Sequence, residues 1–316
     1  MRGLVIKSTG SSYIVRLDDG SDVECHIKGN FRIRGIRSTN PVAVGDYVQV
    51  SEDAKSQTGT EPLRWITDVE DRRNYIIRRS TNLSKESHIL AANIDQVALI
   101  VTINHPETST TFIDRFLATC EAYRVPAVLI FNKIDLLTAD ELDRLAELRE
   151  LYESIGYSTL AISAINLTAN PLTANPLTSL LQGKVTLLSG NSGVGKSTLL
   201  NALFGREMTR TGKISDAHDK GMHTTTFSEM YFLDDGAVID TPGIKGFGSI
   251  DMQREEVSHY FREIFRIGQD CRFGNCTHTG EPGCAVQEAV IRGEIALSRF
   301  ESYMSLLGDC DEAKYR

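Results

Sequence analysis

The sequence lacks the features that would place a protein in a membrane or outside a cell. No stretch approaches the roughly 18 consecutive apolar residues that a spanning helix needs, and Met1 to Gly10 has no hydrophobic signal-peptide core. A cytoplasmic protein with no membrane partner is expected. The six cysteines are placed too unevenly for a disulfide framework: three crowd with a histidine into Cys271 to Cys284, while Cys25, Cys120 and Cys310 are scattered. In a chain without a signal peptide that distribution reads as a metal site plus inert thiols.

Positive charge is scarce as well. A formal charge of −8 argues against nucleic acid as a partner for the whole surface, yet the deficit is uneven. Through Lys85, 14 basic residues stand against 11 acidic ones, whereas beyond it 20 stand against 31. Arg32, Arg34, Arg37, Arg72, Arg73, Arg78 and Arg79 cluster in the first part. A basic amino-terminal face can still bind RNA locally, because the field at the contact surface is what counts.

A length of 316 residues suggests two or three domains at about 150 residues each. Short alternating segments at Gly3 to Ser8, Ser12 to Leu17, Val23 to Ile27 and Tyr47 to Val50 predict a small closed β-barrel. An OB-type barrel is favoured because its strands and loops commonly carry nucleic acid, although an SH3-like barrel reads nearly the same. From Gln96 buried strands alternate with helices, which argues a mainly parallel sheet. Helices are expected over Met252 to Ile267 and Val286 to Leu307, as a separate small helical unit.

What the chain does contain is a set of nucleotide-binding signals in an inverted order. Gly190, Asn191, Ser192, Gly193, Val194, Gly195, Lys196 and Ser197 satisfy G-x-x-x-x-G-K-S, preceded by the apolar Val185 to Leu188 and followed by an amphipathic helix opening at Thr198. The glycines allow backbone N–H groups to ring phosphates at a helix amino terminus. Lys196 is expected to neutralise the β and γ phosphates and Ser197 to ligate Mg²⁺. Asn132, Lys133 and Asp135 form N-K-x-D just after the strand Ala127 to Phe131. The Asp135 carboxylate can accept from guanine N1–H and the 2-amino group, neither of which adenine offers, and the Lys133 stem can lie along the base plane. Ser163 and Ala164 form the Ser-Ala signal whose backbone supports the guanine carbonyl.

Asp240 to Gly243 form D-x-x-G, with Asp240 expected to hold Mg²⁺ through water and Gly243 N–H to meet the γ-phosphate. Thr224 and Thr225 are the switch-threonine candidates. Ordinary GTPases run phosphate loop, switch threonine, D-x-x-G, N-K-x-D, Ser-Ala; here N-K-x-D and Ser-Ala come first. Circular permutation is physically permissible because ligand-contacting loops of an open α/β sheet all leave the carboxyl ends of strands. The connector would be Asn166 to Lys184, whose tandem Asn-Pro-Leu-Thr repeat reads as a linker. Ile244 stands where a water-orienting glutamine is usual, so slow turnover is expected, with His223 the candidate substitute.

Cys271, Cys276, His278 and Cys284 supply three thiolates and an imidazole, a closed tetrahedral set for one structural Zn²⁺. The permuted order, Gly190-Asn-Ser-Gly-Val-Gly-Lys-Ser, Gly221-Met-His-Thr-Thr-Thr, Asp240-Thr-Pro-Gly, and Cys271-Arg-Phe-Gly-Asn-Cys-Thr-His through Glu281-Pro-Gly-Cys-Ala-Val together resemble the ribosome small-subunit-dependent GTPase A family. The likeness covers essentially the whole chain, departing at the repeat of Asn170 to Thr178 and at Met222, where arginine is frequent.

The expected architecture is multidomain α/β: an OB-type β-barrel over residues 1–72, a circularly permuted P-loop GTPase domain over 73–248 and a helical zinc-binding domain over 249–316. The resemblance implies GTP hydrolysis in late maturation of the bacterial 30S subunit, contact with its 16S rRNA, and stimulation by that subunit. Expected ligands are GTP or GDP with Mg²⁺, and a monomer is expected. Lys196, His223 and Thr225 are the residues expected to carry catalysis. Ile244 keeps open a second reading, a non-ribosomal RNA-binding regulator that uses GTP as a structural ligand.

Overall fold

The computed structural model describes residues 1–9, 12–27, 41–52, 62–79, 87–169, 176–205, 228–241 and 252–314. Five strands at the amino end, β1 (Arg2–Ser8), β2 (Tyr13–Leu17), β3 (Asp22–Ile27), β4 (Tyr47–Glu52) and β5 (Arg64–Val69), close in the order 1-2-3-5-4-1. β3 and β5 run parallel and the other neighbours antiparallel, which is the OB arrangement. Alternate residues point inward, so Val5, Tyr13, Val15, Val23, Cys25, Val48, Val50 and Ile66 form one core.

Arg72, read from the sequence as part of an RNA-facing cluster, has a structural role instead. Its Nε and Nη2 each donate to the Asp46 carboxylate at 2.7 Å, and Nη2 also donates to the Pro41 carbonyl. Both partners are buried, with side chains 6% and 0% exposed. Arg73 is exposed and pairs with Asp95 at 2.7 Å. Arg32, Arg34 and Arg37, and the side chains of Arg78 and Arg79, lie outside the described residues.

After the hairpin β6 (Tyr75–Arg79) and β7 (Ser87–Ala92) come β8 (Gln96–Val101), α1 (Thr110–Ala122), β9 (Ala127–Phe131), α2 (Ala139–Ser154), β10 (Ser158–Ala161), α3 (Ala164–Ala169) and α4 (Pro176–Leu181). They are followed by β11 (Lys184–Gly190), α5 (Lys196–Phe204), β12 (Ser228–Leu233) and β13 (Gly236–Asp240). The order in the sheet is β10-β9-β8-β11-β13-β12, parallel except for β12. β12 continues onto β1 through Lys7↔Glu229 and Ser8↔Ser228, and a 3.0 Å Lys7–Glu229 ion pair reinforces the join.

β8 shows why the sheet carries helices on both faces. Val97, Leu99 and Val101 enter one core with Phe116, Leu117, Leu148 and Tyr152, while Ala98 and Ile100 enter another with Leu177, Leu181, Leu199 and Leu200. The segment expected to be a plain linker therefore contributes to packing. α4 starts with Pro176, whose missing N–H has no helical partner to lose at that position, and buries Leu177 and Leu181. Residues 170–175 of the repeat fall outside the described part.

The carboxyl-terminal unit is more broken than its apolar spacing predicts. The span expected as one helix over Met252 to Ile267 is a 3₁₀ segment, Arg254–Tyr260, then α6 (Arg262–Gly268), with Phe261 extended between them. Phe261 is fully buried, edge-on to Tyr303 and under the Arg299 guanidinium, and those tertiary contacts override helix propensity. The second expected helix divides into α7 (Ala285–Ile291) and α8 (Leu297–Lys314), with Gly293 at φ 75° in the break. α8 lies against α1, where Arg115 reaches Asp309 at 2.7 Å and Ser305 at 2.7 Å.

Candidate functional site

The carboxyl ends of β8, β9, β11 and β13 bring the separated signals to one edge of the sheet. Asn132, the first residue after β9, is buried and bridges two of them: its Nδ2 donates to the Val194 carbonyl at 2.8 Å and its Oδ1 accepts from Ala164 N–H at 3.0 Å. The amide thus ties the phosphate loop to the Ser-Ala signal and retains one further N–H. Gly195 sits at φ 96°, and a Cβ there would lie 2.4 Å from Asn132 Nδ2, so only glycine permits this contact. Gly190 is equally confined, since its Cβ would meet the Ile100 carbonyl oxygen at 2.5 Å.

Lys196 is buried at the first turn of α5. Its Nζ donates to Asp240 Oδ1 at 3.1 Å and to the Thr241 carbonyl at 2.6 Å. The Thr241 hydroxyl in turn donates to the Leu188 carbonyl at 3.2 Å, holding the end of β13 to β11. Ser197 and Thr198 follow in the same turn, and Asn191, Ser192 and Gly193 precede it in the loop.

Lys133 is left-handed, with φ 65°, and its half-buried stem lowers the ammonium pKa by desolvation. Its Nζ donates to the His105 carbonyl, and Pro106 would touch a Cβ at Gly193 at 3.3 Å. The loop Thr102 to Thr108 therefore lies against both nucleotide signals. It was missed in the sequence because it carries no signature there; its place follows from β8 being the neighbour of both β9 and β11. Asp135 is exposed just beyond, and Ser163 is buried with its hydroxyl accepting from Asn166 N–H at 3.4 Å. His223, Thr224, Thr225 and Gly243 lie outside the described residues.

The second centre is formed by Cys271, Cys276, His278 and Cys284, whose ligand atoms all lie within 4.8 Å of one another. Cys271 Sγ and Cys284 Sγ stand 3.6 and 3.4 Å from His278 Nδ1, and 4.0 Å from each other. A tetrahedral Zn²⁺ with bonds of about 2.3 Å to sulfur and 2.0 Å to nitrogen requires roughly 3.8 Å between sulfurs and 3.5 Å from sulfur to nitrogen. The three separations among Cys271, His278 and Cys284 match that ion, and Cys276 lies within 4.8 Å of the other three, so the set can hold it. Burial lowers the His278 pKa, which favours the neutral ring that a metal needs.

Glu281 braces the ligand loop, accepting at 2.7 Å from Thr277 N–H, Thr277 Oγ1 and Thr279 N–H. Burial opposes its charge, but these hydrogen bonds prevail and pull its pKa down to about 2. The sequence carried Glu281 only as part of a motif and gave no sign of this role.

Comparison with known proteins agrees with these arrangements. Residues 69–250 match the RsgA GTPase family model and residues 2–60 match the RsgA N-terminal domain. A small ribosomal subunit biogenesis GTPase RsgA of Phocaeicola vulgatus is 58% identical over 100% of this chain and 99% of its own length. A protein of the same name from Azobacteroides pseudotrichonymphae is 51% identical over the same shares of the two chains. The crystal structure of YjeQ from Thermotoga maritima superposes with a TM-score of 0.70 at 33% identity, covering 98% of each chain. That of YloQ, described as a circularly permuted GTPase, gives 0.68 at 27% identity, covering 100% of this chain and 96% of that one. With its OB barrel, its permuted nucleotide signals and its Cys₃His cluster, the chain belongs to the RsgA GTPase family.

Proposed function

We propose that this GTP hydrolase acts as a checkpoint in late maturation of the 30S ribosomal subunit, bound to 16S rRNA when GTP-loaded and released on hydrolysis. The observation that carries the reading is the Asn132 bridge between Val194 and Ala164, which makes one site out of signals 62 and 32 residues apart. Relatives named for small-subunit biogenesis match from end to end and supply the biological setting.

In this reading Asn132, Lys133, Asp135, Ser163 and Ala164 hold guanine, and the loop from Gly190 to Thr198 cradles the phosphates. Lys196 exchanges its Asp240 and Thr241 partners for the β and γ phosphates. Mg²⁺ would be held by Ser197, by Asp240 through water and by one of Thr224 and Thr225, and would supply charge neutralisation on those phosphates. Gly243 N–H meets the γ-phosphate, and His223 positions water because Ile244 is a hydrocarbon. One structural Zn²⁺ sits on Cys271, Cys276, His278 and Cys284. The barrel of residues 1–72 and the zinc unit of 249–316 grip the subunit on either side of the GTPase unit of 73–248. The protein works as a cytoplasmic monomer, and no helix among the described residues is long and apolar enough to cross a membrane.

Competition binding tests the base assignment. GTP should displace labelled GDP far better than ATP, and Asp135→Asn should weaken GTP while admitting xanthosine triphosphate, since donor and acceptor exchange roles. Equal binding of ATP and GTP by the unaltered protein would contradict it.

A further inference from the structure

At the amino ends of β8 and β9, the edge of the sheet opposite the nucleotide signals, a cavity of about 450 Å³ opens between the β6–β7 hairpin and the end of α1. Arg73, Tyr75, Asp95, Tyr123 and Arg124 line it. The two tyrosine rings pack 5.5 Å apart at 52°, each half-buried, and offer aromatic surface beside two arginines. Asp95 does not cancel that charge freely. One carboxylate oxygen is held by Arg73 and the other accepts from Val185 N–H at 2.8 Å. Arg73 uses only Nη2 for its bonds to Asp95 and to the Asn93 carbonyl, so its Nε and Nη1 make no hydrogen bond among the described residues. The Arg124 guanidinium makes no hydrogen bond or ion pair among them, and it lies near enough to Tyr260 to act on it electrostatically.

α1 ends in a Schellman turn, with Arg124 N–H donating to the Glu121 carbonyl at 3.0 Å and Val125 N–H to Cys120 at 2.9 Å. Arg124 occupies its left-handed position at φ 54°, where glycine is the favoured residue and a side chain is strained. Arg124 thus stands at a strained position that places it on the cavity wall.

We propose that this cavity binds an unpaired ribonucleotide, its base stacked on Tyr123 and Tyr75 and its phosphate held by Arg124 and the spare donors of Arg73. Aromatic surface with adjoining guanidinium groups matches the two parts of a single-stranded nucleotide, its base and its phosphate. An acidic peptide would satisfy the arginines and leave the tyrosines unused. Only the source of the RNA rests on the ribosome-assembly reading; the pocket itself is tested without the subunit.

The test is fluorescence anisotropy of a short fluorescein-labelled oligouridylate with the full-length protein, repeated with Arg124→Gly and Tyr123→Leu. Arg124→Gly should leave the unfolding midpoint unchanged or higher, because it relieves the left-handed strain, while weakening RNA. Its salt dependence should fall by about 0.7 in log–log slope, the value for one lost phosphate contact on a single strand. Tyr123→Leu should weaken the oligonucleotide about tenfold through lost stacking. Intrinsic GTP turnover should be the same in all three proteins, since the cavity lies at the far edge of the sheet. Unchanged RNA affinity in a folded Arg124→Gly protein overturns the proposal, and if 30S association falls in the same variant, the pocket holds a ribosomal protein instead.

Discussion

Asn132 and Val194 are joined across 62 residues of chain by a 2.8 Å hydrogen bond from a buried side-chain amide to a phosphate-loop carbonyl. In the permuted chain this is a direct contact between the phosphate loop and N-K-x-D. Asn132→Ala should strand the Val194 carbonyl and the Ala164 N–H, each at about 1–3 kcal/mol if left unsatisfied. Both the urea midpoint and GTP affinity should drop. A variant with normal stability and normal GTP binding would show that the bridge is dispensable.

Arg299 ties the last helix to α1 and α6. Its Nη1 donates to Asp114 at 2.8 Å, and Nε and Nη2 donate to Glu263 at 2.6 and 3.1 Å, with all three side chains buried. Desolvation raises the Asp114 pKa even with Arg299 beside it, so the acid depends on that guanidinium. Arg299→Met should destabilise by about 3–5 kcal/mol, because two buried carboxyls then lack their cation. Adding Asp114→Asn and Glu263→Gln should restore part of the loss. Denaturant titration decides it, and a single Arg299→Met variant as stable as the parent would contradict the assignment.

At the Cys₃His cluster, elemental analysis should find about one Zn²⁺ per chain, lost in a Cys276→Ala, Cys284→Ala double variant. Glu281→Ala should keep the ligands yet weaken zinc, on the order of 10-fold, because the Thr277 and Thr279 bonds that brace the loop carrying His278 are lost. Competition with a chelator measures this. Undiminished zinc affinity would mean that Glu281 braces the loop for some other purpose.

The permuted nucleotide signals were legible because each stands next to an apolar strand, and β9 begins and ends where Ala127 to Phe131 places it. The Cys₃His cluster was legible from ligand chemistry alone. β5 was not, since only Ile66 among its six residues is buried and its parallel partner β3 lies far back in the chain. The break between α7 and α8 was signalled by Gly293, but apolar spacing running through to Leu307 masked it; Ile295, buried at 1% exposure, belongs to the turn. Arg72 could not be told from a surface arginine in the sequence, because what buries it is Asp46, 26 residues earlier. The loop against Lys133 and Gly193 and the Arg299 cluster depend likewise on which elements become neighbours.

The most direct test of the account is GTP turnover by the full-length protein with and without purified 30S subunits. Intrinsic turnover should be slow, on the order of 10⁻⁴ to 10⁻² s⁻¹ as in GTPases lacking an externally supplied group, and the subunit should raise it severalfold or more. His223→Ala should lose most of that stimulation while binding GTP nearly as well, whereas Lys196→Ala should lose binding or turnover under every condition. Turnover that is unaffected by saturating 30S subunits would contradict the checkpoint reading and favour a regulator that holds GTP as a structural ligand.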